Sequence, residues 1–411
     1  MLKIVFISLM LLALPIVSDA YESKCMKLYF ANDYKGAIIE GNKDIKKKRN
    51  DFEPRFCLGA SYTKTGQIDL ALDQLFIAEK LFRNESELSD IYNLIGNNYA
   101  DKNELDNAMI YYNRCLNIAI RNNDTKRQAS TLNNIGNVYS SKSDLNKSLE
   151  YFLKSAELQN DNDKASAYNG IAFIYSRKSD HIKAEEYMKK SIAIDEKTGD
   201  SLGEAMHTLN LGFIYIIANN NTDAHKYLLD GTSKIIRIGN KQWESQAYAY
   251  LGLYYKNINN TDEAVKYYNK ALKLAKSIGS TRISEDVTLA IKELEYKTAY
   301  IKEMKKSVDE LNKKTPQLSE DGSMRFDKYE FNDNIFASYI TMMNVKANEV
   351  DKNELQNTTN ELIKSICGDT ETRKAINYGV SYKYEMSDID KKSVVSVTID
   401  SHMCVGIVAN K

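Results

Sequence analysis

Apolar residues recur at helical spacing over the first two thirds of the chain, and they recur in the same order. Five segments begin with nearly the same phrase: IGNNYADKNELDNAMIYY from Ile95, IGNVYSSKSDLNKSLEYF from Ile135, IAFIYSRKSDHIKAEEYM from Ile171, LGFIYIIANNNTDAHKYL from Leu211 and LGLYYKNINNTDEAVKYY from Leu251. An earlier copy starts at Leu58, and a degenerate one runs from Cys25 through Tyr34 and Ala37. Aligned on a small residue, the anchors are Cys25, Gly59, Gly96, Gly136, Ala172, Gly212 and Gly252, spaced by 34, 37, 40, 36, 40 and 40 residues. Three positions after the anchor stands a tyrosine: Tyr62, Tyr99, Tyr139, Tyr175, Tyr215 and Tyr255. Twelve after it stands a second small residue: Ala37, Ala71, Ala108, Ser148, Ala184, Ala224 and Ala264. Four further on, Leu75, Tyr112, Phe152, Met188, Leu228 and Tyr268 complete an apolar face. Each unit therefore predicts an antiparallel helix pair that cannot bury its apolar face alone, so neighbours must stack.

The small–aromatic–alanine–aromatic pattern resembles the tetratricopeptide repeat, and its period of about 40 residues is similar to that of the kinesin light chain subgroup. The resemblance covers residues 21–314, with Cys25 and Ala172 in place of the anchor glycine and no proline after the second helices. It implies a mostly α chain: a right-handed solenoid of about seven helix pairs over residues 21–280. Residues 281–314 continue as one long helix, with Ile283, Val287, Ile291, Leu294, Ile301, Met304, Val308 and Leu311 at helical spacing. That helix is read as the cap of the solenoid's end, and an oligomer formed through a coiled coil of residues 281–314 is the alternative.

Thr315-Pro316 ends the helical pattern. Residues 324–331 and 335–345 flank a turn composition and predict a hairpin; residues 351–367 and 370–378 predict short helices. Val380, Tyr382, Tyr384 and Met386 alternate on one strand, and Val395, Val397 and Ile399 on another. Residues 315–411 thus read as a small α+β domain with an antiparallel sheet. Cys367 ends a helix and Cys404 follows the last strand, so they are expected to form a disulfide. Cys367, Gly379-Val380 ahead of Tyr382 and Tyr384, and the closing Cys404 resemble a small two-cysteine domain of secreted proteins in Gram-negative bacteria.

Residues 1–20, with Lys3, an apolar run from Ile4 to Leu14, Pro15, and small Ser18 and Ala20, read as a secretory signal peptide. The remainder has no run long and apolar enough to span a membrane. An exported, periplasmic or secreted location is therefore expected, in an oxidising compartment where five cysteines carry information. Cys25 and Cys57 fall on consecutive first helices and are read either as a disulfide or as two buried thiols; Cys115 is expected to be free. The 411 residues hold 56 basic and 56 acidic side chains, a balance that argues against a nucleic-acid footprint. Three prolines and 18 glycines are too few for the many turns of an all-β fold.

Candidate chemistry is sparse. The four histidines, His181, His207, His225 and His402, are scattered, and HExxH, GxSxG and glycine-rich phosphate loops are absent. No cofactor, metal or catalytic residue is expected, and the chain is read as a non-enzyme. The stronger signal lies on the first helices, whose inner faces line the groove in the resembled fold. Asn93, Asn133 and Asn169 stand three before their anchors, and Asn97 and Asn137 one after. Such a ladder presents amide donors and acceptors at regular intervals, which matches the backbone of an extended peptide. Met206, Leu209, Phe213, Ile216 and Ile217 follow as an apolar patch, read either as an anchor pocket for a partner side chain or as a seat for the capping helix or tail domain. The expected partner is a protein or peptide held in this groove. The alternative makes the C-terminal domain the active part, an adhesion or virulence-type effector, with the solenoid as spacer.

Overall fold

The computed structural model describes residues 23–405 apart from Lys48, Asp333, Val345 and Tyr378, so the expected signal peptide lies outside the described residues. Fourteen helices form seven antiparallel pairs. The first pairs are α1 (Lys24–Phe30) with α2 (Tyr34–Lys47), α3 (Phe52–Thr65) with α4 (Ile68–Glu79), and α5 (Glu85–Asp101) with α6 (Leu105–Arg121). Next come α7 (Thr125–Ser141) with α8 (Leu145–Leu158) and α9 (Ala165–Arg177) with α10 (His181–Thr198). The last are α11 (Ser201–Ile217) with α12 (Asn221–Ile238) and α13 (Lys241–Asn257) with α14 (Thr261–Ile278).

A single device turns the chain in every pair. Seven residues after each anchor the backbone is left-handed: Asn32, Gly66, Asn103, Ser143, Ser179, Asn219 and Asn259, with φ between 55° and 75°. Asparagine tolerates that region better than other side chains, and glycine enters it freely. In the later repeats the next residue caps the second helix: Asp144, Asp180, Asn220 and Asn260 each accept from the main-chain N–H three residues on. The anchor glycine then lets the large residue sixteen positions later lie against the first helix. A Cβ at Gly96 would sit 2.6 Å from the Tyr112 ring, one at Gly252 2.5 Å from the Tyr268 ring, and one at Gly59 2.6 Å from Leu75. Each pair also packs on the next, so apolar cores run through consecutive repeats.

The next helix, α15 (Thr281–Asn312), is one continuous element. The chain divides into two compact units between Ile291 and Lys292, within this helix. The second unit contains β1 (Gln317–Leu318), β2 (Met324–Asn332), β3 (Ile335–Met342), α16 (Lys352–Gly368), α17 (Thr370–Asn377), β4 (Ser381–Asp388), β5 (Ser393–Ile399) and α18 (Ser401–Val405). Its five strands lie in sequence order. The sheet is mixed and not antiparallel as the alternation suggested: β3 pairs with β4 in parallel, Phe336 opposite Tyr382. The two helices between these strands form a crossover that returns the chain to the end where β3 began, which a parallel pair requires.

The distal stripe of α15 is used within the chain. Tyr300, Ile301, Met304 and Val308 pack with Phe331, Ile363, Ile376, Val380 and Ile399 in one core. Ile301, Met304 and Val308 are therefore engaged inside this unit, which corrects the coiled-coil reading for that part of residues 281–314. The Cys367–Cys404 disulfide closes the same core. Cys25 and Cys57 are bonded as well, and Cys115 is free and buried. No described helix is long and apolar enough to cross a membrane.

Candidate binding groove

The first helices of successive repeats touch one another, α3 with α5, α5 with α7, α7 with α9, α9 with α11 and α11 with α13, whereas the second helices show no comparable contact among the described residues. A stack whose first helices are the closer set curls toward them. Their shared face is therefore the inner one.

The asparagines on that face form two linked groups. Asn134 Nδ2 donates to Asn93 Oδ1 at 2.7 Å and reaches Asn97 Oδ1 at 3.5 Å, joining α7 to α5. Asn97 is buried and also accepts from the Tyr112 hydroxyl at 2.7 Å. Two repeats on, Asn210 Nδ2 donates to Asn169 Oδ1 at 3.0 Å, joining α11 to α9. Asn133 and Asn137 are half-buried one turn apart on α7, and the Asn133 Oδ1 is enclosed without a hydrogen-bond partner. Asn93, Asn97 and Asn169 thus take part in binding repeat to repeat, through donors that the sequence reading did not single out. Asn134 and Asn210 each stand two before an anchor and 41 residues after their acceptors, so their register was visible.

Charge flanks the ladder. Arg127 holds Asp90 at 2.6 Å and Asp124 at 3.1 Å, with both members of the first pair largely buried. Burial pushes the Asp90 carboxyl up to about 6 against the pull of Arg127. Beside it, Cys115 Sγ lies 3.2 Å from Ser89 Oγ and 3.3 Å from Thr131 Oγ1, and burial raises the thiol. An enclosed thiol held protonated is a packing residue and a poor nucleophile.

The apolar patch corrects one expectation. Met206, Leu209 and Phe213 are 1%, 0% and 4% exposed. Phe213 stacks on Tyr250 at 4.7 Å and meets Phe173 at 6.1 Å, so aromatic side chains from the repeats on either side cover it. These three residues are core, and present no pocket to a partner. The histidines also have local roles. His207 Nδ1 lies 2.5 Å from Asp195 Oδ2 and 2.9 Å from Ser191 Oγ in a buried cluster. Both partners meet the same ring nitrogen, which is not the relay arrangement of a nucleophilic triad. His225 stacks on Tyr254. No group of three or more potential ligands for a metal occurs among the described residues.

Residues 87–161 and 163–233 match a family model described as tetratricopeptide repeat, and residues 245–278 match a second model of that description. Tetratricopeptide repeats therefore make up residues 87–161, 163–233 and 245–278 of the solenoid. Solved structures similar to the chain include a Rap conjugation gene regulator of the plasmid pLS20 in complex with the Phr* peptide, 16% identical over 64% of this chain and 73% of that one, TM-score 0.49. A Rap protein complexed with competence and sporulation factor is 14% identical over 69% and 90%, TM-score 0.47. MamA is 23% identical over 44% and 99%, TM-score 0.35. Comparison with curated proteins returned no match. The Asn ladder lies on the first helices of the third to sixth pairs, which also carry the Asp90–Arg127 pair and Phe213.

Proposed function

We propose that the protein is an exported, non-enzymatic interaction scaffold whose inner groove holds an extended peptide or an extended segment of a partner protein. The observation that carries this reading is the enclosed, unpartnered Asn133 Oδ1 within a face of amides linked across repeats. A buried carbonyl oxygen without a donor is costly, and a turn of the half-buried Asn133 side chain toward the groove lets a peptide N–H laid along the face supply the missing bond. Stacked helical repeats generically offer such extended inner surfaces. The ladder residues Asn93, Asn97, Asn133, Asn137 and Asn169 then set register. Asn133 and Asn137 make the peptide contacts, and the bonded Asn93, Asn97 and Asn169 hold the face in shape. The two disulfides support an oxidising location, the periplasm or the exterior.

The test is panning a displayed library of linear random peptides against the mature chain. Peptides enriched on the native protein are expected to be lost on the Asn133→Ala, Asn137→Ala double variant, while its helical melt stays within a few degrees. Equal enrichment on both proteins would remove the ladder from the reading.

A further inference from the structure

The two ends of the solenoid meet. Lys35, at the start of α2 in the first repeat, donates from Nζ to the main-chain oxygens of Lys276, at 3.4 Å, and Ser277, at the end of α14 in the seventh. Thr281 Oγ1, at the start of α15, reaches the main-chain oxygens of Thr65 at 3.4 Å and Gly66 at 3.2 Å, in the α3–α4 turn. Arg282 Nη1 pairs with Asp101 Oδ1, at the end of α5, at 2.9 Å. These contacts join residues 181 to 242 positions apart. In a repeat stack each unit needs only its neighbours to fold, so an end-to-end contact is additional to what the fold requires.

Its chemistry differs from that of the repeat interfaces. Lys35 sits where α14 leaves its last carbonyls without helical donors, a place that favours a cation. The Arg282 and Asp101 side chains remain 36% and 37% exposed. Lys64 stands beside Asp101, and the crowding of protein around the pair raises the Asp101 carboxyl and lowers the Lys64 ammonium although water still reaches both. Exposed ion pairs and single polar bonds of this kind are individually weak and weaken further in salt.

We propose that this seam is a clasp. The solenoid opens and closes where α2, the α3–α4 turn and the end of α5 meet the end of α14 and the first turn of α15, and closure retains an extended segment along the inner face. The second half of the statement rests on the groove reading above; the first half does not.

The experiment uses the full mature chain with spin labels at two exposed positions on opposite sides of the seam, Lys46→Cys and Asn269→Cys, measured by pulsed electron resonance. Lys35→Glu with Arg282→Glu places carboxylates against the α14 carbonyls and Asp101, and is expected to lengthen and broaden the label separation. Salt at about 1 M, where screening acts within ~3 Å, is expected to move the native protein the same way. Gly66→Cys with Thr281→Cys locks the seam: a Cβ at Gly66 would lie 3.6 Å from the Thr281 Cβ, within the range a disulfide needs. In each background Asn137→Cys is then labelled with N-ethylmaleimide and with a maleimide carried on a folded protein. Locking is expected to slow the bulky reagent by about tenfold or more relative to the opened variant, leaving the small one unchanged. An identical separation in native and opened proteins overturns the clasp, as does equal bulky-reagent reactivity in locked and opened proteins. If the left-handed turn at Gly66 resists the cysteine, the native and opened proteins decide the matter alone. Failure of the groove reading would instead leave the separation shift intact and abolish the dependence of peptide enrichment on Asn133 and Asn137.

Discussion

Two kinds of contact hold the solenoid, and they are built from opposite materials. Within and between neighbouring repeats, glycines admit whole rings: Phe152 is faced by Gly136 of its own pair and by Gly170 of the next, and Tyr268 by Gly252 of its own pair. Between the ends, the bonds are made by Lys35, Thr281 and Arg282, polar side chains that stay in reach of water. Close-packed apolar contact is stiff and intolerant of added volume, whereas exposed polar contact is cheap to break and sensitive to salt. The same chain thus carries a permanent interface repeated along its length and a separable one made once.

The largest effect expected lies outside the solenoid and sets the scale. The C-terminal unit has no stacked neighbours of its own kind and relies on a disulfide across 37 residues, whose loss in Cys367→Ser with Cys404→Ser should cost about 4 kcal/mol on the chain-entropy estimate. Denaturant unfolding followed at the sheet should show it, with the helical transition much less affected. Next comes Gly96→Val, whose Cβ would press on the Tyr112 ring at 2.6 Å; overpacking there should cost roughly 3 kcal/mol in the helical melt. A loss under about 1 kcal/mol would show that the packed glycine–ring contacts of the repeats yield as easily as the seam, and would break the contrast.

A smaller, pH-dependent effect comes from Asp90. Its carboxyl sits at about 6 in the folded chain, above its unfolded value, so its contribution to stability is complete at low pH and is lost as pH rises through about 6. Native protein should therefore gain melting temperature relative to Asp90→Asn on going from pH 7 to pH 5. A difference that stays flat, or falls, would show that Arg127 controls the carboxyl instead. The smallest effect is Arg282→Ala, expected to cost at most about 1 kcal/mol and to vanish in high salt, because both partners are over a third exposed. A larger loss that persists in salt would make the seam a structural interface like the others.

The repeat was legible because stacking imposes the same demand every 34 to 40 residues. A small residue under a ring leaves a periodic trace, and all seven pairs were placed from it. The left-handed position seven after each anchor is equally periodic, as Asn32, Asn103, Asn219 and Asn259 show, but the sequence hides it because Ser143, Ser179 and Gly66 vary the letter at a constant conformation. The asparagines were read in register, but a ladder seen in one dimension does not tell which amides face a neighbour and which face a groove. Asn97 turned out to be enclosed by Tyr112 and Asn134, whereas Asn133 kept an oxygen unmatched. The burial of Met206, Leu209 and Phe213 is illegible in the sequence for the same reason: Phe173 and Tyr250, from the repeats on either side, cover Phe213, and their reach depends on how the stack curls.

The sequence by itself determined the local units, the helix pairs, the change to alternating strands after Pro316 and the partner of Cys367, because these follow from short-range periodicity and from elements close together in the chain. Only the tertiary structure decided the parallel pairing of β3 with β4, the burial of the apolar patch, the division of α15 between two cores, and the meeting of Lys35 with the end of α14. Each depends on the sum of many small rotations between successive elements. No window of residues contains that sum, so contacts 181 to 242 positions apart leave no pattern to read along the chain.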